Sequence, residues 1–230
     1  MKIFIFFLIC VKIASLKACI NMKFIKKYIS LYIITMILPG TAVPEGTKLP
    51  RAEVMKILYK AYTKAKKEQL TQSPIVTVVD YSLPSNQPRL WVMDMSDHSI
   101  IKNTTVAHGK YSGQSLTTSF SNQEGSLKSS LGIFLTGETY QGKHGKSMRL
   151  KGLEKGFNDN AEKRGIVVHG AKYVHRNCNN TLGMCNGRSF GCPAVSEKEV
   201  KAIIEKTQAG SLWVSYYPDQ QWLTHSDFLA

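Results

Sequence analysis

Ile166-Val167-Val168-His169-Gly170-Ala171 is a short β-branched run that ends on a histidine beside a glycine. Further along stands Gly187-Arg188-Ser189-Phe190-Gly191-Cys192-Pro193-Ala194. β-Branched residues fit a pleated, half-buried surface, so the first stretch reads as a strand. A histidine at its end is held by the strand yet can reach a cleft at the edge. In the second stretch Gly191 permits a tight turn, and Pro193 confines Cys192 to extended geometry. A turn of this kind can aim backbone N–H groups at a developing oxyanion. A thiolate, not a thiol, is the attacking species, and it needs a basic or cationic neighbourhood. From Lys163 to Ser196 there is no Asp or Glu, whereas Lys163, Arg164, Lys172, Arg176 and Arg188 fall inside. This is the outline of a cysteine nucleophile, Cys192, with a histidine base, His169.

Outward from this pair, the chain alternates short strands with turns. Ile75–Tyr81, Arg89–Met95, Ser99–Ala107, Leu131–Thr136, Ile166–His169 and Leu212–Tyr217 are rich in β-branched and aromatic residues. Turn signals such as Pro84-Ser85-Asn86 and Ser96-Asp97 separate them, which predicts a mostly β fold. Residues 109–130 and 137–160 are rich in Gly, Ser, Asn and Lys and read as long surface loops over one end of the sheet. Two helices flank this core. Val54, Ile57, Leu58, Ala61, Tyr62 and Ala65 make one apolar stripe between Arg51 and Leu70. The second opens on the capping-box pattern Ser196-Glu-Lys-Glu199, buries Val200, Ile203 and Ile204, and stops at Gly210.

Composition is that of a globular protein: 230 residues, 43% hydrophobic and 20% charged, with a formal net charge of +14. Six lysines precede residue 43 with no acid among them; the remaining 24 Lys and Arg against 16 Asp and Glu leave +8. A basic body suits an anionic partner such as a cell-wall polymer, a membrane surface or nucleic acid, or is simply a solvated surface. The lysines at Lys23, Lys26 and Lys27, the apolar run Ile29–Leu38 and the small residues Gly40-Thr41-Ala42 read as an export signal cleaved near Ala42, with a retained anchor as the alternative. The run is too short to span a bilayer as a helix. Met22 restarts the basic-then-apolar pattern of residues 1–21 and is an alternative start. Of the three cysteines beyond the leader, Cys178 and Cys185 lie close together in a polar loop and make the natural disulfide, which leaves Cys192 free.

Several motifs, in order, carry a resemblance. They are Pro88-Arg-Leu-Trp91, Val106-Ala-His-Gly-Lys110, Phe120-Ser-Asn122, Ser129-Ser-Leu-Gly132, Gly142-Lys-His-Gly145, Gly152-Leu153, Val168-His-Gly-Ala171 and Gly187-Arg-Ser189 with Gly191-Cys-Pro-Ala194. Together they resemble the L,D-transpeptidase catalytic domain, the YkuD-like family, and within it the murein L,D-transpeptidase branch. The resemblance covers roughly residues 75–217 and implies an L,D-transpeptidase-like β-sandwich with an N-terminal helix and one late helix packed on it. The chain then divides into a leader (1–42), a linker with the N-terminal helix (43–74), the catalytic domain (75–218) and a C-terminal tail (219–230).

The resemblance also implies a reaction. Cys192 attacks a peptidoglycan stem tetrapeptide, D-alanine leaves, and a second stem's amine resolves the thioester into a 3→3 cross-link. His169 serves as base, the carbonyl of Gly170 orients its imidazole, and the N–H groups of Gly191 and Cys192 hold the oxyanion. Arg188 either binds a stem carboxylate or pairs with a surface acid. His144 either lines the donor groove or stands in solvent, and Ser189 joins them as a substrate-binding residue. His108 reads as structural. The sequence departs from the wider family in three places. Phe190 stands where a second histidine is usual, Ala194 where an Asn or Arg is usual, and the interval from His169 to Cys192 is longer.

No metal or organic cofactor is implied. A zinc site of Cys178, Cys185, Cys192 and His169 is the alternative use of these residues, but the spacing lacks the tight pairs of structural zinc sites. No nucleic-acid-binding motif is present. The expected protein is a monomer in the periplasm or cell envelope that works on stem peptides. Its alternatives are an L,D-carboxypeptidase or a non-catalytic peptidoglycan-binding protein of the same fold.

Overall fold

The computed structural model of the chain describes residues 49–175, 186–208 and 210–230. The elements follow in the order α1 (Ala52–Lys67), β1 (Ile75–Asp80), β2 (Leu90–Asp94), β3 (Ile100–Thr104), β4 (Gly132–Gly142), β5 (Gly145–Gly152) and β6 (Val167–Ala171). Then come β7 (Ala194–Ser196), α2 (Glu197–Thr207), β8 (Leu212–Tyr216) and α3 (Gln220–His225). The strands form one eight-stranded sheet in the order β3-β2-β1-β8-β4-β5-β6-β7. β1 with β8 and β6 with β7 are parallel pairs; the others are antiparallel. The chain leaving β3 meets the chain around β7: Ala107 N–H donates to Ala194 O at 2.8 Å, and Gly109 bridges Ser189. The two edges of the sheet therefore nearly close on each other. This is the mostly β, helix-flanked architecture that the sequence predicts.

Alternation along the strands gives two cores, because successive side chains point to opposite faces. Val76 and Val78 of β1, Trp91 and Met93 of β2, Ile133 of β4, and Leu212 and Val214 of β8 pack with Val54, Leu58, Ala61 and Ala65 of α1. Val79, Leu90, Val92, Phe134 and Trp213 point the other way and pack with Met148, Leu150 and Val168 and with Val200, Ile203 and Ile204 of α2. Burying a side chain such as Leu58 completely stabilises by about 1.5–3 kcal/mol, so the stripe on α1 is enough to seat that helix. Arg51, just before α1, reaches the fully buried carboxylate of Asp80 at 2.9 Å and ties the start of the helix to the end of β1.

Four details differ from the sequence reading. Residues 137–160 are not all loop. β4 continues to Gly142, a two-residue turn at Lys143-His144 follows, and β5 runs back from Gly145, whose φ is +75°. The lysines and serine of β5 hid a period of two: Met148 and Leu150 are buried while Arg149 and Lys151 face out. β7 is too short to leave a pattern. α2 starts at the capping-box serine, but Ser196 Oγ donates to Glu199 at 3.1 Å instead of accepting from the helix. Glu199 is drawn off by the Lys102 ammonium at 2.8 Å and the Thr104 hydroxyl. Finally, residues 219–230 are packed, not trailing. Trp222 of α3 is fully buried and donates its indole N–H to both oxygens of Glu154, at 3.2 and 3.1 Å. Glu154 also accepts the Ile133 N–H at 2.6 Å and the Ser226 hydroxyl.

Candidate active site

The parallel pairing of β6 and β7 sets His169 level with Ala194, two residues past Cys192. Histidine and cysteine thereby come to line one cleft of about 420 Å³, across the gap in sequence that separates them. The β4–β5 hairpin supplies one wall with Tyr140, Lys143 and His144; Arg164 and Gly165 precede β6; Arg188, Ser189 and Phe190 lead into Cys192. Among its described lining residues are three fixed cations, Lys143, Arg164 and Arg188, and no carboxylate.

His169 is 6% exposed, and its Nδ1 lies 2.9 Å from the carbonyl oxygen of Gly170. A carbonyl only accepts, so Nδ1 carries the proton and the lone pair of the neutral ring is on Nε2. Burial holds the imidazole below its ordinary range; the Gly170 bond opposes this, and the nearby His144 and Lys143 add to it. The residue that orients the ring must be small. A Cβ on Gly170 would lie 3.1 Å from Val200 and 3.3 Å from the backbone of Glu197 on α2. His144, at the tip of the hairpin, stacks on His169 with ring centroids 4.6 Å apart and planes inclined by 26°. It thus lines the groove and covers one face of His169.

Cys192 is a free thiol, half-buried, with Sγ 3.6 Å from the carbonyl oxygen of Gly165. Burial pushes the thiol up; the Val167 N–H, the Arg164 charge and its own N–H pull the other way. Gly191 has a φ of +116°, and a Cβ there would lie 2.6 Å from Lys128 O, so the turn into Cys192 demands glycine. The N–H of Gly191 donates to Ser189 Oγ at 3.2 Å. Ser189 is itself clamped: its N–H donates to His108 O at 3.2 Å and its carbonyl accepts from Lys110 N–H at 2.8 Å. Ser189 therefore holds the turn, and Arg188 stands exposed at the mouth. Phe190 projects into solvent at 63% exposure, with the Lys110 ammonium 5.0 Å from its ring. Cys178 and Cys185 lie outside the described residues, and with them the expected disulfide and two of the three cysteines of the zinc alternative.

A buried polar cluster supports this loop from below, and only its histidine was visible in the sequence as structural. Arg89 is fully buried and donates to Val106 O, Leu83 O and Thr117 Oγ1, and to His108 Nδ1 at 2.8 Å. A guanidinium can only donate. His108 Nδ1 is therefore the acceptor, and its Nε2–H points at Gly113 O, 3.2 Å away. Burial and then the Arg89 charge push His108 down to about 4. His108 Nε2 would lie 2.6 Å from a Cβ on Gly187, so the loop rests directly on this ring. Sequence reasoning also left Arg164 unassigned, counting it only as one of several bases in an acid-free stretch.

A family model described as the L,D-transpeptidase catalytic domain matches residues 47–216. The chain belongs to this family. Among solved structures it is similar to an L,D-transpeptidase from Mycobacterium smegmatis, at 11% identity and a TM-score of 0.40, over 63% of this chain and 59% of that one. A Mycobacterium tuberculosis H37Rv L,D-transpeptidase is similar at 12% identity and 0.40, over 63% and 58%. One from Stackebrandtia nassauensis is similar at 14% identity and 0.37, over 72% and 67%. The chain thus spans less than two thirds of the two mycobacterial proteins. No curated protein matches it.

Proposed function

We propose that this member of the L,D-transpeptidase family is an exported, cysteine-dependent enzyme that joins peptidoglycan stem peptides through a 3→3 cross-link. One observation carries the reading: His169, its Nδ1 held by Gly170 O, presents a neutral Nε2 in the cleft that holds the free thiol of Cys192. Nε2 takes the proton of Cys192 Sγ–H as sulfur bonds to the carbonyl carbon of the third residue of a tetrapeptide stem. The carbonyl oxygen takes up the negative charge. The Gly191 N–H is committed to Ser189, so the Cys192 N–H is the donor left to face that oxygen. As the C–N bond breaks, His169 returns the proton to the departing D-alanine amine, leaving a thioester on Cys192. The side-chain amine of a second stem attacks the thioester, His169 accepts its proton, and the thiol is regenerated.

The cleft suits such a donor electrostatically. Lys143 and Arg188 at its walls and mouth face no lining acid among the described residues and would draw in the terminal carboxylate of a stem. Export follows from the leader, with the periplasm or cell envelope as the place where this substrate is met. The test is the full chain and its Cys192→Ala variant with a disaccharide-tetrapeptide, read by mass spectrometry. The expected result is loss of D-alanine with a cross-linked dimer, absent from the variant. Tripeptide alone would instead mean that water resolves the thioester. Neither product nor acyl adduct from a folded protein would overturn catalysis on stems and leave a peptidoglycan-binding protein.

A further inference from the structure

Arg164 is a half-buried cation whose role the reaction above does not use. It stands just before β6 in the turn that follows β5, and its guanidinium reaches across to the segment 121–130. Nη1 donates to Ser121 O at 2.6 Å and to the Ser130 hydroxyl; Nη2 donates to Lys128 O at 2.6 Å and to Ser126 Oγ at 3.2 Å. All four acceptors are neutral. The adjacent Lys163 has a carboxylate, Glu124 at 3.1 Å, while Arg164 pairs with no acid among the described residues. A charge taken out of water is costly unless something opposite in sign comes near it.

Among the described residues, Cys192 is the group whose negative charge, once it is a thiolate, favours the guanidinium. Arg164 lines the same cleft as the thiol. Its Nη2 would lie 3.2 Å from a Cβ on Gly191, the residue before Cys192, so the guanidinium is pressed against the backbone that carries the sulfur. Two residues beyond the thiol, Ala194 is fully buried and apolar and carries no charge. Of the other two cations that line the cleft, Arg188 stands exposed at its mouth and Lys143 lies at the tip of the β4–β5 hairpin, whereas Arg164 is half-buried. Tyr81 and Tyr173 are both pushed up to about 12, first by burial and further by Cys192, and remain neutral phenols. His169 is neutral at rest, and Lys143 and His144 act on His169.

We propose that Arg164 is the fixed counter-charge of the Cys192 thiolate. It acts through Cys192 as a positioning residue, and the inference rests on the reading of Cys192 as nucleophile. When Sγ gives its proton to His169 Nε2, the imidazolium must later lose that proton to the leaving amine. Arg164 cannot lose its own, so the sulfur keeps a cationic neighbour at every stage in which it carries charge. The same side chain braces Lys128 O against Gly191, which fixes where the thiolate sits.

The test reads the thiol without any substrate, so it stands apart from turnover on stems. The full-length protein is alkylated with iodoacetamide across pH, and the rate is followed on the Cys192 peptide by mass spectrometry. Arg164→Gln should raise the midpoint for Cys192 by about one pH unit or more, the effect of removing a close opposite charge. Arg164→Lys, which keeps a charge but not the forked hydrogen bonding, should stay near the parent. Ser126→Ala, which loosens one bond and keeps the guanidinium, should leave the midpoint unchanged. An unchanged midpoint in Arg164→Gln overturns the proposal, as does an equal rise in Ser126→Ala, which would make the effect one of loop packing. If Arg164→Gln does not fold, a full-unit rise in Arg164→Lys overturns it and a parent-like midpoint supports it. A midpoint shift in a protein that does not process stems would keep this inference and remove the proposed reaction; turnover with no shift would do the reverse.

Discussion

Acidification should unseat the cysteine loop through His108. In the folded chain this ring is fully buried beside Arg89 and is held down to about 4, whereas in an unfolded chain it titrates at about 6.5. The unfolded state therefore binds more protons between these values, and stability rises with pH there. The contribution is complete above the unfolded value, falls as pH drops through about 6.5, and levels off below about 4. Between pH 7 and pH 4.5 the loss is about 2.5 kcal/mol by linkage, from about 1.4 kcal/mol per unit of pKa difference. His108→Gln isolates it. A Gln oxygen can accept from Arg89 and its amide can donate toward Gly113 O, with no proton to gain. Urea unfolding of both proteins at the two pH values should show the parent losing about 2.5 kcal/mol more than the variant. Equal losses would refute the reasoning, because then His108 is not the group that titrates on unfolding. A protein whose loop 186–189 rests on this ring should lose activity along the same acid limb.

Two further substitutions probe the site directly. His144→Ala removes the ring stacked 4.6 Å from His169, exposing that imidazole to water and removing a neighbour that holds it down. The acid limb of kcat/KM should move to higher pH, toward 6.5, and kcat/KM at neutral pH should fall about three- to tenfold, matching the roughly 0.5–1.5 kcal/mol of an aromatic pair. An unmoved pH profile would mean that the stack does not bear on the base. Gly191→Ala would force a Cβ to 2.6 Å from Lys128 O at a φ of +116°. Thermal unfolding should show a loss of about 1–3 kcal/mol, and activity should fall by far more than that loss of folded protein accounts for. A variant with parental activity would show that the turn into Cys192 can shift freely.

Much of this molecule is written locally. The apolar stripe from Val54 to Ala65 depends on the helical period alone, and Leu212–Tyr216 depends on β-branched and aromatic residues in succession; both are where the sequence puts them. His169 and Cys192 are legible because a strand end, a glycine turn and an acid-free stretch are all properties of neighbouring residues. The ordered motifs then point to the family that the match over residues 47–216 shows. β5 was lost because lysine, serine and glycine mask its alternation, and β7 because three residues form a strand only when a partner is already in place.

What only the tertiary structure decided are relations between residues far apart in the chain. Gly170 and His169 are neighbours, and their contact could be foreseen. The stack of His144 on His169 exists because a hairpin tip folds over the end of β6. Arg164 stands by Cys192 because a turn of the chain before β6 is pinned to residues 121–130. Arg89 beneath His108, and Trp222 on Glu154, likewise join segments that share no local pattern. The physical reason is one of range. Periodicity and turn chemistry act over a few residues and choose the elements. Burial and hydrogen bonding of charged groups act only once the sheet has closed, and they choose which side chains surround the sulfur.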